Sequence, residues 1–86
     1  MRLYTKIGGV KRKKSKHNKI YKIIGSNIKT KRQEAGLSQE ELGFLVSSTR
    51  NYIGCIERGE KAASTAFLYD IAQVLNCSLK NLFENL

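Results

Sequence analysis

The chain has 86 residues, 41% of them hydrophobic, with 16 basic and 7 acidic side chains and a formal net charge of +9. That suits one small core, and no run of about eighteen apolar residues is present to span a bilayer, nor an apolar stretch with a small-residue cleavage site at the start. One histidine and two cysteines without ligand spacing argue against a metal centre, and the lack of paired carboxylates, a nucleophile–base set or a glycine-rich phosphate loop argues against an enzyme or a bound cofactor.

Charge is unevenly spread. Residues 1–34 carry twelve basic side chains against the single acid Glu34, a net of +11, whereas residues 35–86 carry four against six, a net of −2. Residues 1–19 lack helical periodicity: Leu3 to Ile7 alternate as a strand would before Gly8-Gly9, and Lys11 to Lys19 form a polar basic run that includes Lys13 and Lys14. This segment is expected to be a mobile basic arm that lies along phosphates, with a plain solubility tail as the duller reading.

Helical periodicity starts near residue 20. A first helix over about 20–35 would turn Ile20, Ile24, Ile28 and Ala35 inward and stop at Gly36. Ser38 followed by Glu41 forms a capping box for a second helix over about 39–45. Thr49 caps a third over about 50–57, and Ser64 a fourth over about 65–75 that buries Leu68, Ile71, Ala72 and Leu75. Asn76 is a helix stop and Ser78 caps a short fifth helix over 79–86. Cys77 suits a small core position, and Cys55, expected to face outward, would not meet it; free thiols fit a reducing cytoplasm. The expected fold is all-α, five helices in one domain over 20–86 behind the arm.

The second and third helices, residues 39–57, are joined by a three-residue turn. Leu42, Leu45, Ile53 and Ile56 would fold them together, leaving Arg50, Asn51, Gly54 and Cys55 outward. Arg and Asn on the exposed first turn of a helix suit paired hydrogen bonds to purine edges, the signature of a DNA-reading helix-turn-helix. Gln39, at the positive end of the second helix, suits a phosphate. Tyr52 would pack on the second helix with its hydroxyl outward, Cys55 could meet a thymine methyl or stay idle, and Thr49 and Lys61 complete the expected DNA-binding set.

From about Ile24 to Phe83 the chain resembles the lambdoid-repressor/Cro-like (XRE) family of helix-turn-helix regulators. The resemblance is carried by Gly36-Leu37-Ser38-Gln39-Glu40-Glu41-Leu42, by Tyr52-Ile53 with Ile56-Glu57-Arg58-Gly59, and by Ile71-Ala72 with Leu82-Phe83. It implies a five-helix lambda-repressor-like domain, base or phosphate contacts at the residues just named, and a largely buried structural ion pair between Arg32 and Glu57. Three positions depart from the family pattern: Gly43 for Ala, Ser47 for Gly in the turn, and Ala63 for Pro. On its own, Gly43 should weaken its helix by about 0.5–1 kcal/mol relative to Ala.

Leu79, Leu82, Phe83 and Leu86 carry more apolar surface than an eight-residue helix can bury on its own domain. The resemblance makes this the two-fold interface of a homodimer that sets two recognition helices about one DNA turn apart. The leading expectation is a cytoplasmic repressor or restriction–modification controller bound to a short palindrome of double-stranded DNA. The alternative is an antitoxin that neutralises a partner toxin and autoregulates its operon, and a third reading is a sequence-independent RNA or chromosome binder.

Overall fold

The computed structural model describes residues 17–86. The expected arm, with Lys13 and Lys14, lies outside them but for its last residues. Five helices follow in chain order: α1 (Asn18–Glu34), α2 (Gln39–Leu45), α3 (Arg50–Glu57), α4 (Thr65–Val74) and α5 (Leu79–Leu82). No strand occurs among the described residues. Helix α1 starts at Asn18, two residues before the expected boundary, so Lys19, the last basic residue of the expected arm, is helical.

Start signals in the chain act as local chemistry demands. Ser38 Oγ accepts the Glu41 N–H at 2.9 Å, while the Glu41 carboxylate accepts the Ser38 N–H at 2.8 Å. Thr49 Oγ1 accepts from Tyr52 N–H and Ser64 Oγ from Phe67 N–H, and Ser78 pairs with Asn81 as a second capping box. Gly36 and Asn76 stop their helices with positive φ of 75° and 56°.

The core is filled by Ile28 from α1, Leu42 from α2, Ile53 and Ile56 from α3, Ile71 from α4 and Leu82 from α5. Helix α2 packs on α3, α3 also packs on α1, and α4 and α5 close the far side. Three expected inward residues do not reach this core. Ile20 and Ala35 sit at the two ends of α1, beyond the reach of its partners, and are exposed. Leu45 is 51% exposed, and Val46 takes its place at 9%. Both stand within one helical turn of Leu42, and the helix ends between them, with Val46 at the C-cap taking the inward position.

Two close approaches require small residues. A Cβ on Gly25 would overlap the backbone carbonyl of Ile56, so α1 meets the end of α3 backbone to backbone. A Cβ on Gly43 would lie 2.8 Å from the Thr49 carbonyl carbon, inside contact distance. The expected propensity cost of Gly43 is therefore offset by the closeness of α2 to the start of α3, which Ala would force apart. The turn between those helices is left-handed at Ser47, with φ of 58°. Glycine would adopt that conformation freely, whereas serine must tolerate it.

Helix α5 is shorter than expected, four residues in place of eight. Its end is set from outside. The Asn27 amide on α1 donates to the carbonyl of Leu82 at 2.9 Å and to that of Glu84 at 2.8 Å, and Asn85 then turns with φ of 70°. Carbonyls held this way are satisfied without a further helical turn.

The central polar contact joins Arg32 of α1 to Glu57 at the end of α3, with Nε to Oε2 at 2.7 Å and Nη2 to Oε1 at 3.1 Å. Their side chains are 10% and 2% exposed. Arg32 Nη1 also donates to the Leu37 carbonyl at 2.8 Å. The ion pair expected from the family resemblance is present and buried.

Two stability outcomes follow. Arg32→Ala and Glu57→Ala should each lose about 3–5 kcal/mol, because each strands a buried charge, and the double variant should lose clearly less than their sum in urea unfolding. Additive losses would mean that the pair is not energetically coupled. Ser47→Gly should raise the melting temperature by several degrees. It relieves about 1–2 kcal/mol of left-handed strain against about 0.5–1 kcal/mol of added unfolded-state freedom, and a lower melting temperature in calorimetry would refute this account of the turn.

Candidate nucleic-acid interface

Helix α3 begins with Thr49, Arg50 and Asn51, all exposed. Its inner side is fixed by Ile53, Ile56 and Glu57, so its orientation on the domain is dictated by core packing and the Arg32 contact. Arg50 and Asn51 thus stand on the first turn of a helix held from behind, with their hydrogen-bonding groups outward. Thr49 has a second duty there: its hydroxyl is engaged by the Tyr52 N–H, so as a cap it sets where the first turn starts.

Tyr52 is half-buried. Its ring meets Phe67 of α4 edge-on, with centroids 5.4 Å apart and planes at 66°. It packs on α4 through this aromatic pair. Lys61 is exposed on the following loop, beside Tyr21 and Ile24 of α1.

Gln39, at the start of α2, reaches across to α3. Its Nε2 donates to Glu57 Oε1 at 2.9 Å, so the side chain is a bridge between the buried ion pair and the surface. The expected outward placement of Gly54 is wrong: it is buried beneath two side chains. A Cβ there would lie 3.1 Å from Arg58 Nη1, 3.6 Å from Gln39 Oε1 and 3.7 Å from Gln39 Nε2. With no side chain at 54, the fork of Arg58 folds back over the helix.

Arg58 joins the site in the structure without having been among the expected residues. Its spacing of four from Gly54 carried the signal, since residues four apart share a helix face. The guanidinium is held by Glu60, with Nε to Oε2 at 2.8 Å and Nη2 to Oε1 at 3.1 Å, and Nη2 also lies 3.6 Å from Cys55 Sγ. That hydrogen bond holds the Glu60 carboxyl below its usual range and raises the Arg58 guanidinium in turn. Cys55 is half-buried at the edge of this cluster, and burial pushes the Cys77 thiol up; both thiols are free.

The expected dimer residues divide. Phe83 is 37% and Leu86 60% exposed, and Leu79 is half-buried. Leu82 is fully enclosed at 0% and belongs to the monomer core, because the short α5 turns it inward beneath α1. A separate apolar surface appears on α2, where Phe44 is 80% exposed next to Leu45. No helix among the described residues is long and apolar enough to cross a membrane, and no cluster of three or more metal-ligating side chains occurs among them.

Comparison with known proteins agrees with this geometry. The helix-turn-helix family pattern matches residues 28–82. The chain is 37% identical over 57 residues to an HTH-type transcriptional regulator of Sinorhizobium fredii, covering 66% of this chain and 74% of that protein. It is 35% identical over 63 residues to the control protein C.SmaI of Serratia marcescens, covering 73% and 75%. Among solved structures, the restriction-modification controller protein C.AhdI of Aeromonas hydrophila superposes with a TM-score of 0.76 at 32% identity, covering 80% of this chain and all of that one. The chain belongs to the XRE-type helix-turn-helix family and is a helix-turn-helix transcriptional regulator.

Proposed function

We propose that this regulator binds a short palindromic DNA operator as a homodimer, in the manner of a phage-type repressor or a restriction–modification controller, within the cytoplasm. The observation that carries the reading is the first turn of α3. Arg50 and Asn51 stand exposed on a helix whose opposite face is anchored by Ile53, Ile56 and the Glu57–Arg32 pair. Arg pairs naturally with the O6 and N7 of guanine, and Asn with the N6 and N7 of adenine. The likeness to two restriction–modification control proteins favours the controller branch of the reading.

In this arrangement Gln39 brings the N-terminal end of α2 to a phosphate, where the free backbone N–H groups and the helix dipole favour an anion. Its contact with Glu57 ties that phosphate anchor to the same buried pair that orients α3. Tyr52, Lys61, Lys13 and Lys14 supply further backbone contacts, and these fix register without reading sequence. Cys55 borders the base-reading turn. The homodimer uses Phe83 and Leu86, with Leu79 at the margin. The net charge of +9 provides the long-range attraction to DNA.

The base-reading role is tested on a site selected from random duplexes. Arg50→Ala or Asn51→Ala should lose about 1–3 kcal/mol on that site and little on random DNA. Equal losses on both would remove these side chains from sequence reading.

The interface is tested with Phe83→Glu and Leu86→Glu, since Leu82 is enclosed and its replacement would disrupt the fold. Each should shift sedimentation toward the monomer and weaken palindrome binding far more than half-site binding. An unchanged sedimentation profile with both variants would move the interface elsewhere, the Phe44–Leu45 surface being the next place to look.

A further inference from the structure

The pair Arg58–Glu60 differs from the other close ion pair of the site. Arg32–Glu57 is enclosed and structural, whereas Arg58 and Glu60 are 56% and 54% exposed. An exposed pair contributes little to folding, yet this one is bidentate, with both bonds short. It also occupies a particular stripe. Arg50, Gly54 and Arg58 follow one another at intervals of four, so they lie along one side of α3. Gly54 is the residue that lets the Arg58 fork lie flat on that stripe, between Gln39 and Cys55.

We infer that Glu60 is an intramolecular stand-in for a DNA phosphate: it holds the Arg58 fork in the free protein and is displaced by a backbone phosphate on binding. This rests on the reading of α3 as the DNA-facing helix. A guanidinium fork takes a carboxylate or a phosphate with the same pair of parallel bonds, so the exchange needs no new geometry from Arg58. Its electrostatic consequence is specific. Arg58 neutralises one phosphate, but the released Glu60 carboxylate is left beside the polyanion, and the exchange gains no net charge. Glu60 thereby cancels one sequence-independent contact, lowering affinity for random DNA while leaving base reading by Arg50 and Asn51 intact. Glu60 is a specificity-tuning residue that acts through Arg58.

The test uses the full chain and the salt dependence of binding to a random-sequence duplex, read by fluorescence anisotropy. Glu60→Gln should tighten that binding at least threefold and steepen the slope of log affinity against log salt by about 0.9, because the Arg58–phosphate contact is then no longer offset by a neighbouring carboxylate. Its melting temperature should stay within a degree or two of the parent. The double variant Arg58→Ala with Glu60→Gln should return to the parental slope, because the gain passes through Arg58. If Glu60→Gln changes neither affinity nor slope, the inference is overturned. It is equally overturned if the gain persists without Arg58, since Glu60 would then act as a distant repelling charge. A parent chain that binds no duplex at all would overturn both this inference and the DNA-binding reading beneath it, whereas loss of base reading by the Arg50 and Asn51 variants alone would leave the Arg58 response standing.

Discussion

The ion pair between Arg32 and Glu57 is the contact on which the rest of the domain depends. Arg32 comes from the last turn of α1 and Glu57 from the last residue of α3. Through Leu37 and Gln39 the same cluster takes in the loop between α1 and α2 and the start of α2. Four pieces of chain, α3 among them, therefore share one polar centre. Two enclosed charges are tolerable only because nearly every polar atom is paired. The arrangement makes the position of α3 an all-or-none property, in which sliding the helix breaks several bonds together.

Apolar packing alone would leave that position less well defined. Isoleucines and leucines accept many near-equivalent arrangements, and it takes directional contacts to select one. Here the selection is made twice, by the charged cluster at the end of α3 and by main-chain proximity at its start, where Gly43 meets Thr49. Between these two points stand the exposed Arg50 and Asn51 of the first turn. A small domain with marginal stability of about 5–15 kcal/mol thus concentrates its specific contacts around the element that must be held most accurately.

Much of this was legible from residues alone, for reasons that differ by element. Caps act over three residues, so Ser38, Thr49, Ser64 and Ser78 announced their helices directly. Helix starts read well because their chemistry is local. The ends read poorly where a distant residue decides them: α5 stops because Asn27, some 55 positions earlier, takes its carbonyls, and Leu82 turned out to be core for the same reason. Leu45 and Val46 could not be ranked by periodicity, since the helix ends between them. The exposure of Arg50 and Asn51 followed from their place on the first turn. Arg58 was hidden, because its location depends on the side chain that Gly54 lacks, and a missing group leaves little trace in a pattern of hydrophobicity.

The Gly43 contact has a bearing on how recognition could be moved between relatives. An alanine at position 43 would press against the backbone of Thr49 and push α2 away from the first turn of α3, while here the two backbones nearly touch. Helix α3 is thus docked at a depth that belongs to its own α2. Grafting the exposed residues of α3 onto a domain with alanine there would carry over the side chains but shift where the helix presents them. Residue 43, which faces no ligand, would have to travel with the graft.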